Sequence, residues 1–144
     1  MTTPIVRALA VLCLVGCGAG TLAAQEAAPT LKELNALLAT FCSNKPTLTL
    51  AADGIVVRKD STGDTMTFKL CDIGEITIDP RPDAQAHVLL RCKEGTSCVE
   101  WTPSGGAPKT GALVVFSITP ASQGPQVVKL FKDLQASLAS ATKK

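Results

Sequence analysis

The sequence predicts an α+β domain: a curved antiparallel sheet or open barrel of six to seven short strands, with a helix before it and an amphipathic helix closing it. Two observations carry this. Apolar residues recur at helical spacing at both ends of the chain, and between the ends the period drops to two, with turn residues at regular intervals.

The first helix is expected from about Leu31 to Cys42. Thr30 is placed to cap it and Glu33 completes a capping box, while Leu31, Leu34, Leu38 and Phe41 form one apolar stripe that Asn44, Lys45 and Pro46 end. Strands follow at Thr47–Leu50, Ile55–Arg58, Met66–Leu70, Ile76–Ile78, His87–Cys92, Cys98–Trp101 and Ala112–Ile118, the last being the most apolar. Asp53-Gly54 and Ser61–Asp64 read as turns, Pro80–Asp83 as an interruption, and Pro103–Gly111 as a Gly/Pro-rich connection. The closing helix is expected from about Gln126 to Ala141, entered through Gly124 and Pro125, with Val127, Leu130, Phe131, Leu134 and Leu138 on its apolar face.

The N-terminal segment carries a different signal. Met1–Arg7 holds one positive charge, Ala8–Val15 is unbroken apolar chain, and Gly16–Ala24 is dominated by small residues. That is the order of an export signal, and its apolar part is too short to span a bilayer. Two processing routes stay open. Cleavage near Ala24 removes 1–24; alternatively Leu14-Val15-Gly16-Cys17 serves as a lipobox, 1–16 is removed and Cys17 becomes the lipid-anchored N-terminus. In either case 25–29 is read as a linker and 30–144 as a single domain. Arg7 is the one charge lost, so 14 basic residues become 13 against 12 acidic. This balance gives no electrostatic case for nucleic acid, and no second apolar run is long enough for a membrane span.

Cys42, Cys71, Cys92 and Cys98 stay with the domain on both routes. Four cysteines allow three pairings. The turn-like Lys93–Ser97 favours Cys92 with Cys98 across a hairpin, which leaves Cys42 with Cys71. The alternative, a zinc site, suits neither the Cys-x5-Cys spacing nor an oxidising compartment. No motif asks for another metal or a cofactor.

The stretch from Thr47 to Ala141 resembles a small bacterial PH-like domain. The resemblance rests on the strand Met66–Leu70 leading into Asp72-Ile73-Gly74-Glu75-Ile76, on the Cys92–Cys98 hairpin and on the closing helix. It implies a scaffold that binds proteins, peptides or lipid headgroups rather than one that catalyses. The first hairpin loop, Arg58-Lys59-Asp60 with Ser61–Asp64, lacks a Lys/Arg cluster, so phosphoinositide headgroups are not expected.

Catalytic groups are scarce. His87 is the only histidine, at the start of a strand expected to lie at a sheet edge, so every Ser/His or Cys/His pair must use it. Asp79 and Asp83 flank Pro80-Arg81-Pro82 and could pair as an acid and a base, but Arg81 neutralises a stiff polar turn there. Ser104-Gly105-Gly106 lacks the lysine and the strand-to-helix setting of a phosphate loop. Binding residues are expected in the loops instead: Trp101, Gly105 and Gly106 in one, with Gly111 adding flexibility, and Arg81 in the other. Three functional classes follow. The first is an exported, disulfide-stabilised, non-catalytic module whose partner is a protein or peptide. The second is an inhibitor or immunity-type protein against a secreted enzyme, and the third is a small enzyme using His87 or the Asp79/Asp83 loop. Cys17→Ser separates the processing routes: it abolishes acyl-modified mass and membrane association if the lipobox operates, and leaves the mature mass unchanged if cleavage occurs near Ala24.

Overall fold

The computed structural model describes residues 19–141; Cys17, most of the export signal and Lys143–Lys144 lie outside them. The α+β class is the fold observed, with a helix at each end and antiparallel strands between. Helix α1 spans Ala19–Phe41 and helix α2 spans Gly124–Ala141. The strands are β1 Thr47–Leu50, β2 Ile55–Lys59, β3 Thr65–Lys69, β4 Ile73–Pro80, β5 Ala86–Cys92, β6 Val99–Thr102, β7 Lys109–Gly111 and β8 Leu113–Ile118.

These strands form two sheets instead of one. One runs β1-β2-β3-β6-β7, the other β4-β5-β8, and neither closes into a barrel. The chain crosses from the first to the second through the corner Leu70–Asp72, and back between Cys92 and Val99. The expected hairpin at Cys92–Cys98 is therefore a crossover, because β5 pairs with β4 and β8 while β6 pairs with β3 and β7. The expected connection Pro103–Gly111 contains β7, an edge strand on β6.

Helix α1 begins well before Thr30, which lies inside it together with Pro29, and the segment 25–29, read as a linker, is helical. The alanine-rich turns ahead of Thr30 favour helix, and Ala27 is completely buried in the core. That packing overrides the local capping signal. Leu34 and Leu38 continue the buried stripe, and Phe41 is half-buried. On α2, Val127, Leu130, Phe131 and Leu134 are buried as expected. Phe131 meets Phe116 of β8 with ring centroids 5.0 Å apart. Gln126 Nε2 donates to Glu33 Oε1 at 3.1 Å, joining the two helices at the surface.

Two sheet edges are closed by groups from outside the sheet. At β1, Asn35 of α1 offers its amide as a short piece of strand: its Nδ2 donates to the Leu48 carbonyl at 2.8 Å and its Oδ1 accepts from the Leu48 N–H at 2.7 Å. At β8, the chain leaving α1 pairs with the outer edge, with Ser43 N–H donating to Ser117 O at 3.1 Å and Thr119 N–H to Phe41 O at 2.9 Å. Further along the same edge, Arg58 Nη1 donates to the Val115 carbonyl at 2.7 Å. Unpaired strand edges invite pairing with other chains, and these bonds remove that opportunity locally.

Arg58 is the one charged residue in the buried core among the described residues. It lies in phase with Val56 on β2, facing inward. Its Nε and Nη2 donate to the two Asp60 oxygens at 2.7 and 2.9 Å, and its guanidinium sits 4.5 Å from the Phe116 ring centroid. Side-chain exposure is only 4% for Arg58 and 6% for Asp60. Removing one partner of such a pair leaves the other charge buried without compensation. Asp60→Ala is expected to lower unfolding free energy by about 3 kcal/mol, read as a drop in the urea midpoint.

Candidate functional site

The five-stranded sheet presents one cross-strand row that begins in the core and ends in solvent. Register places Arg58 beside Met66, Met66 beside Trp101, and Trp101 beside Lys109. Arg58 is buried, Met66 and Trp101 are half-buried, and Lys109 on the edge strand is exposed. Lys109 Nζ stands 5.3 Å from the Trp101 ring centroid, within cation–π range. The indole Nε1 is buried and has no hydrogen-bond partner. Trp101 is thus half packing and half surface: the face of the row it shares with Val99 anchors it, and Lys109 covers part of what remains.

The adjoining loop is tightly made. Gly106 N–H donates to Pro103 O at 2.9 Å, closing a turn in which Gly105 takes φ +73°. A Cβ on Gly106 would lie 2.5 Å from Pro103 Cγ. Both glycines serve turn geometry, which only a residue without a side chain accommodates there. Ser104 N–H donates to Asp64 Oδ1 at 2.8 Å, which ties this turn to the one between β2 and β3. Gly63 in that second turn has φ +91°, and a Cβ on it would come within 3.0 Å of Ser104 Oγ. Trp101, Gly105 and Gly106 therefore belong to one surface, rimmed by Lys109 and Asp64.

Arg81 belongs to another. Its backbone N–H donates to Gln85 O at 3.0 Å, closing the β4–β5 turn, and Ala84 of that turn accepts from Ala121 N–H at 2.8 Å. The Arg81 guanidinium pairs with Asp79 at 3.4 Å, both about half exposed. A solvated pair of this kind adds little stability and leaves the turn as polar surface.

His87 is not at a sheet edge: β5 is the central strand of its sheet, and register sets His87 between Asp79 of β4 and Ser117 of β8. A serine–histidine–aspartate relay requires the histidine bonded to both neighbours. The Asp79 carboxylate pairs with Arg81 instead.

The cysteines divide differently from the sequence expectation. Cys92 and Cys98 are bonded, with Cα atoms 5.7 Å apart, and the bridge spans the crossover between the two sheets. Cys42 and Cys71 are free. Cys42 is buried just after α1, bridged to Ile118, whereas Cys71 is exposed in the corner between β3 and β4. Elimination among four cysteines assumed that all pair, which tertiary placement does not honour. No group of three or more metal-ligating side chains gathers among the described residues.

Sequence reasoning missed Asn35, Arg58 and Gln135. Gln135 Nε2 donates to the carbonyls of Leu70 and Ile73 at 2.7 and 2.9 Å, holding the corner where the chain leaves the first sheet. Arg58 had a signal, an arginine in phase with an apolar strand face; Asn35 and Gln135 sit beside apolar stripes where a polar residue is unremarked. No protein-family model, curated protein or solved structure matches the chain.

Burial pushes the Cys42 thiol up from its ordinary value, against the lowering effects of the Asn44 backbone and the Arg58 charge. The unfolded thiol therefore ionises first, and the stability contributed by burying neutral Cys42 is complete below about pH 9 and lost as pH rises further. Cys42→Ala is expected to flatten this part of the alkaline decline in the urea midpoint. In the native protein an alkylating reagent should label Cys71 rapidly and Cys42 only after unfolding, as peptide mapping will read.

Proposed function

We propose that this chain is an exported, disulfide-stabilised, non-catalytic binding module of the bacterial cell envelope, built on a PH-like scaffold and directed at a protein or peptide. The observation that carries the reading is the Cys92–Cys98 bridge between the two sheets. A structural disulfide of this kind persists in an oxidising compartment, which agrees with the charged, apolar and small-residue order of 1–24.

The recognition surface is Trp101 with Lys109 and the two turns joined by Ser104 and Asp64. A half-buried tryptophan on a braced strand supplies contact area without much ordering cost, and Lys109 and Asp64 provide a charged rim of both signs. Exposed Leu113, at 36%, is the one large apolar side chain open to solvent among the described residues.

The disulfide-intact protein, immobilised and challenged with envelope extract, should retain a defined partner. Trp101→Ala, with folding verified by circular dichroism, is expected to weaken that capture at least tenfold, and Lys109→Ala to weaken it less. Undiminished capture by a folded Trp101→Ala protein would make Trp101 packing alone. A captured secreted hydrolase that loses activity in the complex would move the reading to an inhibitor.

A further inference from the structure

Two open sheets have an edge strand at each end: β1 and β7 in one, β4 and β8 in the other. Asn35 bonds to Leu48 on β1, the chain around Ser43 and Thr119 bonds to β8, and β7 is only three residues long. The remaining edge is β4, eight residues from Ile73 to Pro80, with β5 on one side and no strand on the other. A long edge of this kind is a template for another strand.

Hydrogen-bond parity shows which backbone groups of β4 face outward. In an antiparallel pair, alternate residues bond to the partner and those between them point away. Arg81 N–H donates to Gln85 O at 3.0 Å in the register that sets Pro80 opposite Ala86, so Asp79, Thr77 and Glu75 bond to β5. Ile76, Ile78 and Pro80 therefore present their backbone to the open side. Pro80, with no N–H to donate, suits such a position. Before the register shift at Gly74, Lys93 N–H donates to Asp72 O, which turns Ile73 outward, and its carbonyl accepts from Gln135 Nε2 at 2.9 Å. Gln135 closes one end of the edge and Pro80 the other, with Ile76-Thr77-Ile78 between them.

We propose that two copies of this chain pair antiparallel through β4, with Thr77 on the two-fold axis. The Ile76 N–H of one copy then donates to the Ile78 carbonyl of the other, the Ile76 carbonyl accepts from the second copy's Ile78 N–H, and symmetry repeats both bonds. Moving the centre by one residue sets an isoleucine against Pro80 or against the bulge at Gly74, so the ends of the strand fix the register. All three central residues are β-branched, and the two threonines meet as a close cross-strand pair. Glu75 faces the second copy's Asp79, but each brings an arginine: Arg91 stands 3.6 Å from Glu75 and Arg81 3.4 Å from Asp79. The charges thus meet as two neutral pairs. The contact is isologous and closed, and it joins the two three-stranded sheets into one. Trp101 lies on the other sheet, so the proposal is independent of the partner bound there.

Sedimentation equilibrium of the full chain, up to about 1 mM, the weak end of specific association, is expected to show monomer and dimer in exchange. Thr77→Lys should weaken the dimer at least tenfold, since it sets two like charges together on the axis while the side chain stays on the face opposite Ile76 and Ile78. The unsubstituted protein supplies a second reading. Rising concentration should slow amide exchange at Ile76 and Ile78, whereas Thr77 and Asp79, bonded to β5, exchange slowly at every concentration. Monomer throughout, or a dimer indifferent to Thr77→Lys, would overturn the proposal. Protection of Ile76 and Ile78 that appears only on adding a captured partner would also overturn it, because the edge then belongs to that partner.

Discussion

A single buried guanidinium links the parts of this domain that the chain order keeps separate. Arg58 belongs to the five-stranded sheet, yet one of its donors satisfies a carbonyl on the edge of the three-stranded sheet and its planar face lies on Phe116. Phe116 in turn packs on Phe131 of α2. Asp60, two residues along, neutralises the charge through both carboxylate oxygens. An arginine suits this position because its fork of donors can serve a carboxylate and a carbonyl at once while its face stacks on a ring. A methionine of similar length would fill the space but leave the Val115 carbonyl without a donor.

The two sheets meet again at the crossover, where the link is covalent. The bridge between Cys92 and Cys98, the Gln135 amide on the corner carbonyls and the backbone bond from Lys93 to Asp72 all act on the same end of the molecule. Arg58 and the bridge thus hold the sheets at two separate points. Between them the core is ordinary apolar packing, with α1 and α2 laid against the strands. The proposed recognition surface follows from this arrangement: the row that starts at Arg58 carries Met66 and Trp101 outward to the edge strand, so the ring is braced from the inside and free on one side.

The helical stripes on both ends and the alternating strands between them were legible because each depends on spacing within a few residues. Leu34, Leu38, Phe131 and Leu134 are buried where their periods put them. The turn at Pro103–Gly106 was legible from its composition, though the short strand after it was not, since Lys109–Gly111 has neither alternation nor apolar content. His87 shows the opposite failure. Its strand was recognised, but whether a strand is central or at an edge depends on partners far away in sequence, and β5 gains β8 as its second neighbour only through the fold.

The sequence by itself determined the class of fold and the apolar faces of both helices, because these rest on local period, and it favoured Cys92 with Cys98 through the short loop between them. Tertiary structure alone decided that the strands divide into two sheets, that the Cys92–Cys98 segment crosses between them, and that Cys42 and Cys71 stay free. It also decided that α1 runs through Thr30, since the burial of Ala27 outweighs a cap. Each of these is settled by contacts between residues distant in the chain, which local pattern does not encode.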